Sequence, residues 1–90
     1  MPRYLVERTF TSGLEIPLTD EGVTKLEEVV SHNTEDGVTW LHSYVTVDRM
    51  KTFCVYDGPH PQAIRRAAEK NRLPVDRIVQ VNVLDPYLYR

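Results

Sequence analysis

The feature that most constrains the fold is a pair of β-rich runs in the middle of the chain. Residues 38–47 (VTWLHSYVTV) and 51–56 (KTFCVY) consist largely of β-branched and aromatic residues, and only Asp48-Arg49-Met50 lies between them. Such runs favour extended strands, and so short a connection predicts that the two strands pair as an antiparallel hairpin.

Two amphipathic helices are predicted, one on each side of this hairpin. The capping sequence Thr19-Asp20-Glu21 opens the first helix, which we expect to end near His32-Asn33, and its apolar stripe is Val23, Leu26, Val29 and Val30. Pro61 opens the second helix and Leu73-Pro74 ends it, with a narrow apolar face of Ile64, Ala67 and Ala68.

Residues 3–11 and 77–84 have the composition of two further strands, which gives the order βαββαβ. This order predicts an α+β, ferredoxin-like fold: a four-stranded antiparallel sheet with both helices on one face. We expect residues 1–90 to form one domain, with residues 85–90 as a short tail. Side by side, the acidic first helix and the basic second helix should attract each other.

Composition excludes several classes of protein. With 41% hydrophobic and 27% charged residues the chain should be globular. It contains no run of about 18 apolar residues that could span a membrane, and its opening residues lack the apolar core expected of a signal peptide. One cysteine cannot form an internal disulfide, which fits a cytoplasmic protein. The net charge of −2 argues against a nucleic-acid partner.

Alternation along the strands predicts two chemically different sheet faces. The odd-numbered residues are expected under the helices; they are Leu41, Val45, Val47, Phe53, Val55, Val79, Val81 and Val83. The even-numbered residues are expected on the outer face; they are Trp40, His42, Tyr44, Thr46, Thr52, Cys54, Tyr56, Gln80 and Asn82. In the first strand, Tyr4, Val6 and Phe10 should face the helices and Glu7 the outer side.

Hairpin register refines this prediction. A three-residue loop, Asp48-Arg49-Met50, would pair Tyr44 with Cys54 and His42 with Tyr56, so that these four side chains form one patch. With Trp40 added, the outer face is too aromatic to remain in water on a small monomer. We therefore expect a homodimer in which two sheets pack face to face, as in a dimeric α/β barrel, around a cleft.

Two side chains of this patch, together with Glu7 beside it, suit a metal ion. Imidazole and thiolate ligands favour nickel, copper, zinc or iron, so His42 and Cys54, with Glu7 nearby, predict a transition-metal site. Tyr44, Tyr56 and Trp40 would line the cleft as cofactor-binding or supporting residues. Two alternatives stay open: His42 and Cys54 simply pack in the interface, or Cys54 is a nucleophile activated by His42 and oriented by Glu7.

Several blocks of the sequence resemble a small bacterial family of domains of unknown function. They are RYLVERTF at residues 3–10, VTWLHSYV at 38–45, KTFCVY at 51–56 and LPVDRI at 73–78. The resemblance implies a ferredoxin-like fold, dimerisation and binding of nickel, as in a characterised actinobacterial relative. It also implies that Glu7, His42, Tyr44 and Cys54 occupy the polar positions that recur in the family.

We therefore favour a cytoplasmic, homodimeric protein that binds Ni(II) or another divalent transition metal on the open face of the sheet. The alternative is a small-molecule-binding protein or an enzyme that uses the same His/Tyr/Cys cleft. A third possibility is an interaction module with a dry interface. Between these classes we lean away from an enzyme.

Overall fold

The computed structural model describes residues 2–14 and 20–88. Its elements are β1 (Arg3–Thr9), α1 (Asp20–Glu35), β2 (Thr39–Val45), β3 (Lys51–Asp57), α2 (Pro61–Lys70) and β4 (Arg77–Val81). The strands form one antiparallel sheet in the order β2-β3-β1-β4. This confirms the predicted ferredoxin-like α+β fold. No helix in the described ranges is long and apolar enough to cross a membrane.

The predicted element bounds are close to the observed ones. The first helix continues past His32-Asn33 to Glu35, and then the Asn33 carbonyl accepts the N–H groups of Asp36 and Val38 as the chain turns through Gly37 at φ 70°. The last strand ends at Val81, earlier than predicted. The predicted cap Thr19, and Tyr89 and Arg90 of the predicted tail, lie outside the described residues.

The core lies between α2 and the even-numbered residues of β1 and β3. Ile64 is only 1% exposed and supplies the largest buried aliphatic side chain of α2. The other members of this cluster are Tyr4, Val6, Val38, Cys54, Tyr56 and Ala63, with Trp40, Val75 and Ile78 packed against them. The predicted inward positions of Tyr4 and Val6 are therefore confirmed.

The predicted assignment of faces is wrong for β3 and β4. Thr52, Cys54 and Tyr56 are buried on the side of the sheet that carries the helices, which we call the helix face. By alternation, the odd-numbered residues of the same strands lie on the opposite side, the open face; they are Phe53, Val55, Val79 and Val81. Val55 and Val79 pair with Leu5 of β1 from its two sides, and Phe53 and Val81 lie beside this row.

The hairpin register explains the reversal in β3. The Thr46 N–H donates to the Lys51 carbonyl at 3.0 Å, which leaves Val47–Met50 as the loop, one residue longer than predicted. Tyr44 consequently pairs with Phe53 instead of Cys54. A β-bulge then inserts Leu41 between Trp40 and His42, and Trp40 pairs with Tyr56 on the helix face.

Ion pairs join the two helices, as their opposite charges predict. Lys70 of α2 lies 3.1 Å from Glu35 and 3.0 Å from Asp36, and Arg66 lies 3.2 Å from Asp36. These pairs are confined to the C-terminal end of α1 and do not run along its length. Because most of these side chains are partly exposed, they align the helices more than they stabilise them.

Candidate functional site

The predicted site residues fall on both faces of the sheet. His42, Tyr44 and Glu7 lie on the open face, whereas Trp40, Cys54 and Tyr56 lie on the helix face. Cys54 is 6% exposed and covered by the core. The predicted cluster of His42, Cys54 and Glu7 is therefore not formed within one chain, because β3 turns the thiol to the side away from the imidazole.

The open face is apolar across its centre. The register aligns Val55, Leu5 and Val79 in one row across three neighbouring strands, with Phe53 and Val81 beside it. Each of these five side chains is half-buried. Both helices pack on the other face, so none of the described helices covers this surface. A sheet face of this composition resembles one side of a sheet-to-sheet interface.

His42 and Tyr44 lie at one edge of the open face, on β2. Both are exposed, and their rings are in edge-to-face contact with centroids 5.2 Å apart. Glu7 lies two strands away on β1, a lateral separation of roughly 10 Å at the usual strand spacing. Its carboxylate is 3.6 Å from the Lys51 ammonium. Within residues 2–14 and 20–88, no three His, Cys, Asp or Glu side chains could hold a metal ion together.

A cavity of about 690 Å³ lies on the helix face, between the sheet and α1. Trp40, Cys54 and Tyr56 all line it, so three residues predicted for one cleft do share one. This cleft lies within the fold of one chain, whereas the predicted cleft lay between the two sheets of a homodimer. Leu26 and Val29 of α1 form its opposite wall. The other half of the predicted stripe, Val23 and Val30, is exposed.

Arg8 is the principal charged group of this cavity. It is 2% exposed, its Nη1 donates to the Pro74 carbonyl at 2.7 Å, and its Nη2 donates to the Tyr56 hydroxyl at 3.1 Å. Its Nε is buried without a hydrogen-bond partner. Arg8 is not among the site residues predicted from sequence, although it follows the same alternation as Tyr4 and Val6, whose inward positions were predicted correctly.

Tyr56 and Cys54 line the same cavity as Arg8. Burial raises the pKa of the Tyr56 hydroxyl, and the nearby Arg8 guanidinium opposes this shift without outweighing it. The phenol is therefore protonated at neutral pH. Its O–H can donate a hydrogen bond while its oxygen accepts the one from Arg8. On the neighbouring strand β2, Trp40 Nε1 donates to Ser43 Oγ at 2.8 Å.

Comparison with known proteins supports the resemblance seen in the sequence. Residues 4–81 match the family described as nickel responsive protein SCO4226-like. The chain belongs to this family. Among solved structures, the crystal structure of SCO4226 from Streptomyces coelicolor A3(2) is similar, with a TM-score of 0.71 and 14% identity over 92% of this chain and 99% of that chain. At this identity the likeness shows the fold alone. None of the curated proteins compared with the chain matches it.

The two other histidines have structural roles. His60 is the N-cap of α2, where its Nδ1 accepts the Ala63 N–H at 3.1 Å. His32 Nδ1 is hydrogen-bonded to Asn71 Oδ1 at 2.7 Å, which joins α1 to the end of α2. Of the three histidines, His42 is the one whose ring makes no such hydrogen bond with another residue of the described ranges.

The nucleophile hypothesis does not fit this structure. It requires His42 to take the Cys54 proton, but the sheet separates the two side chains. The polar neighbour of the thiol is Thr52, whose Oγ1 lies 3.5 Å from Cys54 Sγ. The single cleft that was predicted to combine His42 with Cys54 and Tyr56 is thus two separate surfaces.

Proposed function

We propose that this protein is a homodimeric, cytoplasmic nickel-binding protein whose metal site lies on the open face and uses His42 as a ligand. The observation that carries this proposal is an exposed imidazole at the edge of an apolar sheet face that neither described helix covers. Imidazole is a good ligand for Ni(II). Membership of a family described as nickel responsive supports nickel over the other transition metals.

A second copy of the chain is proposed to complete the ligand set. One chain offers His42, and Glu7 at a distance of two strands, which is fewer donors than a stable site needs. In a two-fold interface the same face meets itself, so each copy presents His42 and Glu7 to its partner. We leave Cys54 out of this ligand set because it is buried on the other face, where it lines the same cavity as the Arg8 cation.

Dimerisation through the open face has a direct test. Val55 lies in the centre of the apolar row, so Val55→Lys places a charge in the proposed interface. Val47 is fully exposed in the hairpin loop, and Val47→Lys is the matched control. Analytical ultracentrifugation should find dimers for the wild type and Val47→Lys, but monomers for Val55→Lys. A wild-type monomer, or a dimeric Val55→Lys variant, would contradict this interface.

Nickel binding is tested by calorimetric titration of chelator-stripped protein with Ni(II). His42→Ala should weaken binding by about tenfold or more, the usual effect of losing a metal ligand or its supporting group. His60→Asn is the control, because asparagine can keep the helix cap while the imidazole is removed. Cys54→Ser should keep the wild-type affinity for Ni(II). The nickel-loaded wild-type protein should show no thiolate-to-nickel charge-transfer band.

Three results would count against this metal site. Equal affinity of His42→Ala and wild type would remove His42 from the site. A charge-transfer band that disappears in Cys54→Ser would move the site to the thiol and restore the cluster predicted from sequence. Binding that does not saturate would leave the protein without a nickel site of its own.

A further inference from the structure

Arg8 is a buried cation for which the described part of the chain provides no anion. The ion pairs in these residues involve Arg3, Lys51, Arg66 and Lys70, and Arg8 is in none of them. Its hydrogen-bond partners are a carbonyl and a phenol, both neutral, and its Nε has none. Burying a charge without an opposite charge is costly, so this arrangement favours the entry of an anion.

The charges around the cavity have one sign. Lys25 of α1 and Arg72 line it together with Arg8, and none of the described lining residues is an aspartate or glutamate. The described charges therefore make the potential in the cavity positive, which favours an anion and disfavours Ni(II). This charge separates the cavity from the metal site proposed on the open face.

The rest of the lining is mostly apolar. Trp40, Leu26, Val29, Leu73 and Phe10 contribute aromatic and aliphatic surface. The volume of about 690 Å³ lies within the range of small-molecule sites, about 300–1,000 Å³. A hydrated inorganic ion would leave this surface unfilled, whereas an organic molecule with an aromatic or aliphatic body would cover it.

We propose that this cavity binds a small organic anion, a carboxylate or sulfonate with an apolar body, whose charged group is held by Arg8 and Tyr56. Arg8 lines the cavity, and its guanidinium has N–H groups beyond those donated to Pro74 and Tyr56, so it can bind two oxygens of such a group in parallel. The Tyr56 hydroxyl accepts a hydrogen bond from Arg8 and donates a hydrogen bond to the anion. The apolar body lies against Trp40 and the inner side of α1.

Two dyes with the same aromatic framework test the role of charge. 8-Anilinonaphthalene-1-sulfonate carries an anionic group, and N-phenyl-1-naphthylamine is its neutral counterpart. Wild-type protein should bind the sulfonate saturably, one molecule per chain, and more tightly than the neutral dye. Arg8→Met should weaken sulfonate binding by about tenfold or more, the effect of losing charge-assisted hydrogen bonds, while the affinity for the neutral dye stays the same.

The control variant is Arg65→Met, which removes an exposed cation of α2 that does not line the cavity. It should bind both dyes like the wild type. If the two dyes bind wild type equally, or if folded Arg8→Met keeps wild-type affinity for the sulfonate, the proposal is overturned. Circular dichroism establishes that each variant is folded.

A measurement on the wild type keeps the proposal testable if Arg8→Met does not fold. Trp40 is the single tryptophan, so its indole N–H gives one self-identifying NMR resonance. Titration with the sulfonate should shift this resonance saturably, and decanoate should displace the dye. Dye fluorescence that rises while the indole resonance stays fixed would show binding elsewhere. The Val55→Lys variant should bind the sulfonate normally, which separates this site from the dimer interface.

Discussion

Shortening Ile64 to alanine should destabilise the fold by about 3–4 kcal/mol. Ile64 is 1% exposed, and its Cγ1 and Cδ1 atoms lie 3.5 and 3.7 Å from where a Cβ on Gly58 would stand. Ile64→Ala removes three carbon atoms, worth about 2.4 kcal/mol at roughly 0.8 kcal/mol each. A cavity adds to this loss, because Gly58 has no side chain that could fill it, and the total falls within the usual range of about 2–5 kcal/mol.

Urea unfolding followed by circular dichroism measures this loss, with Val47→Ala as the control. Val47 is 104% exposed, so its truncation should change the free energy of unfolding by less than about 0.5 kcal/mol. In a domain of this size, a loss of 3 kcal/mol lowers Tm by roughly 12–24 °C. A change below about 1 kcal/mol for Ile64→Ala would refute the packing of α2 against the sheet described above.

Two further substitutions test the ends of the helices. The Lys70 hydrogen bond, assisted by Arg66, holds the pKa of Asp36 below its ordinary value of 3.8 although burial opposes this. Such a carboxylate stabilises the fold at pH values above its unfolded pKa, and this stabilisation is lost as the pH falls through its lower pKa in the folded state. The Tm of Asp36→Asn should therefore be lower than that of the wild type at neutral pH, and the two Tm values should converge in acid. A Tm difference that does not change with pH would exclude the ion pair as its cause. Arg72 has φ 56°, just after α2, where the Leu73 N–H bonds back to the Ala68 carbonyl. Arg72→Gly should raise the free energy of unfolding, by up to about 1 kcal/mol in urea titrations, and a decrease would show that the arginine side chain matters more than its backbone strain.

The order and type of the elements could be predicted because local signals agree along most of the chain. Pro61 at the first turn of α2 and the β-branched runs of the hairpin each favour one structure without reference to the rest of the fold. The six elements then admit few arrangements, and the antiparallel sheet with two helices is the common one. The errors at element ends are a few residues, as expected where helices and strands fray.

The faces of β3 could not be predicted, because both alternating sets of residues are apolar enough to be buried. One set contains Phe53 and Val55, the other Cys54 and Tyr56, and hydrophobicity alone favoured the first. One residue more in the loop moves every side chain of a strand to the other face. The extra residue Val47 in the loop and the bulge at Leu41 depend on pairing with β3, which residue types alone do not specify.

This reversal separates two kinds of chemistry that the sequence placed in one cleft. A site for Ni(II) needs donors without a nearby uncompensated cation, and a site for an organic anion needs such a cation in an apolar pocket. Both cannot occupy one small cavity. Alternation along β3 resolves the conflict, since Val55 contributes to the open face and Tyr56, its neighbour, holds Arg8 in the cavity. The proposed metal and anion sites are thus on opposite sides of a single sheet, and substitutions on one face can test either site while leaving the other intact.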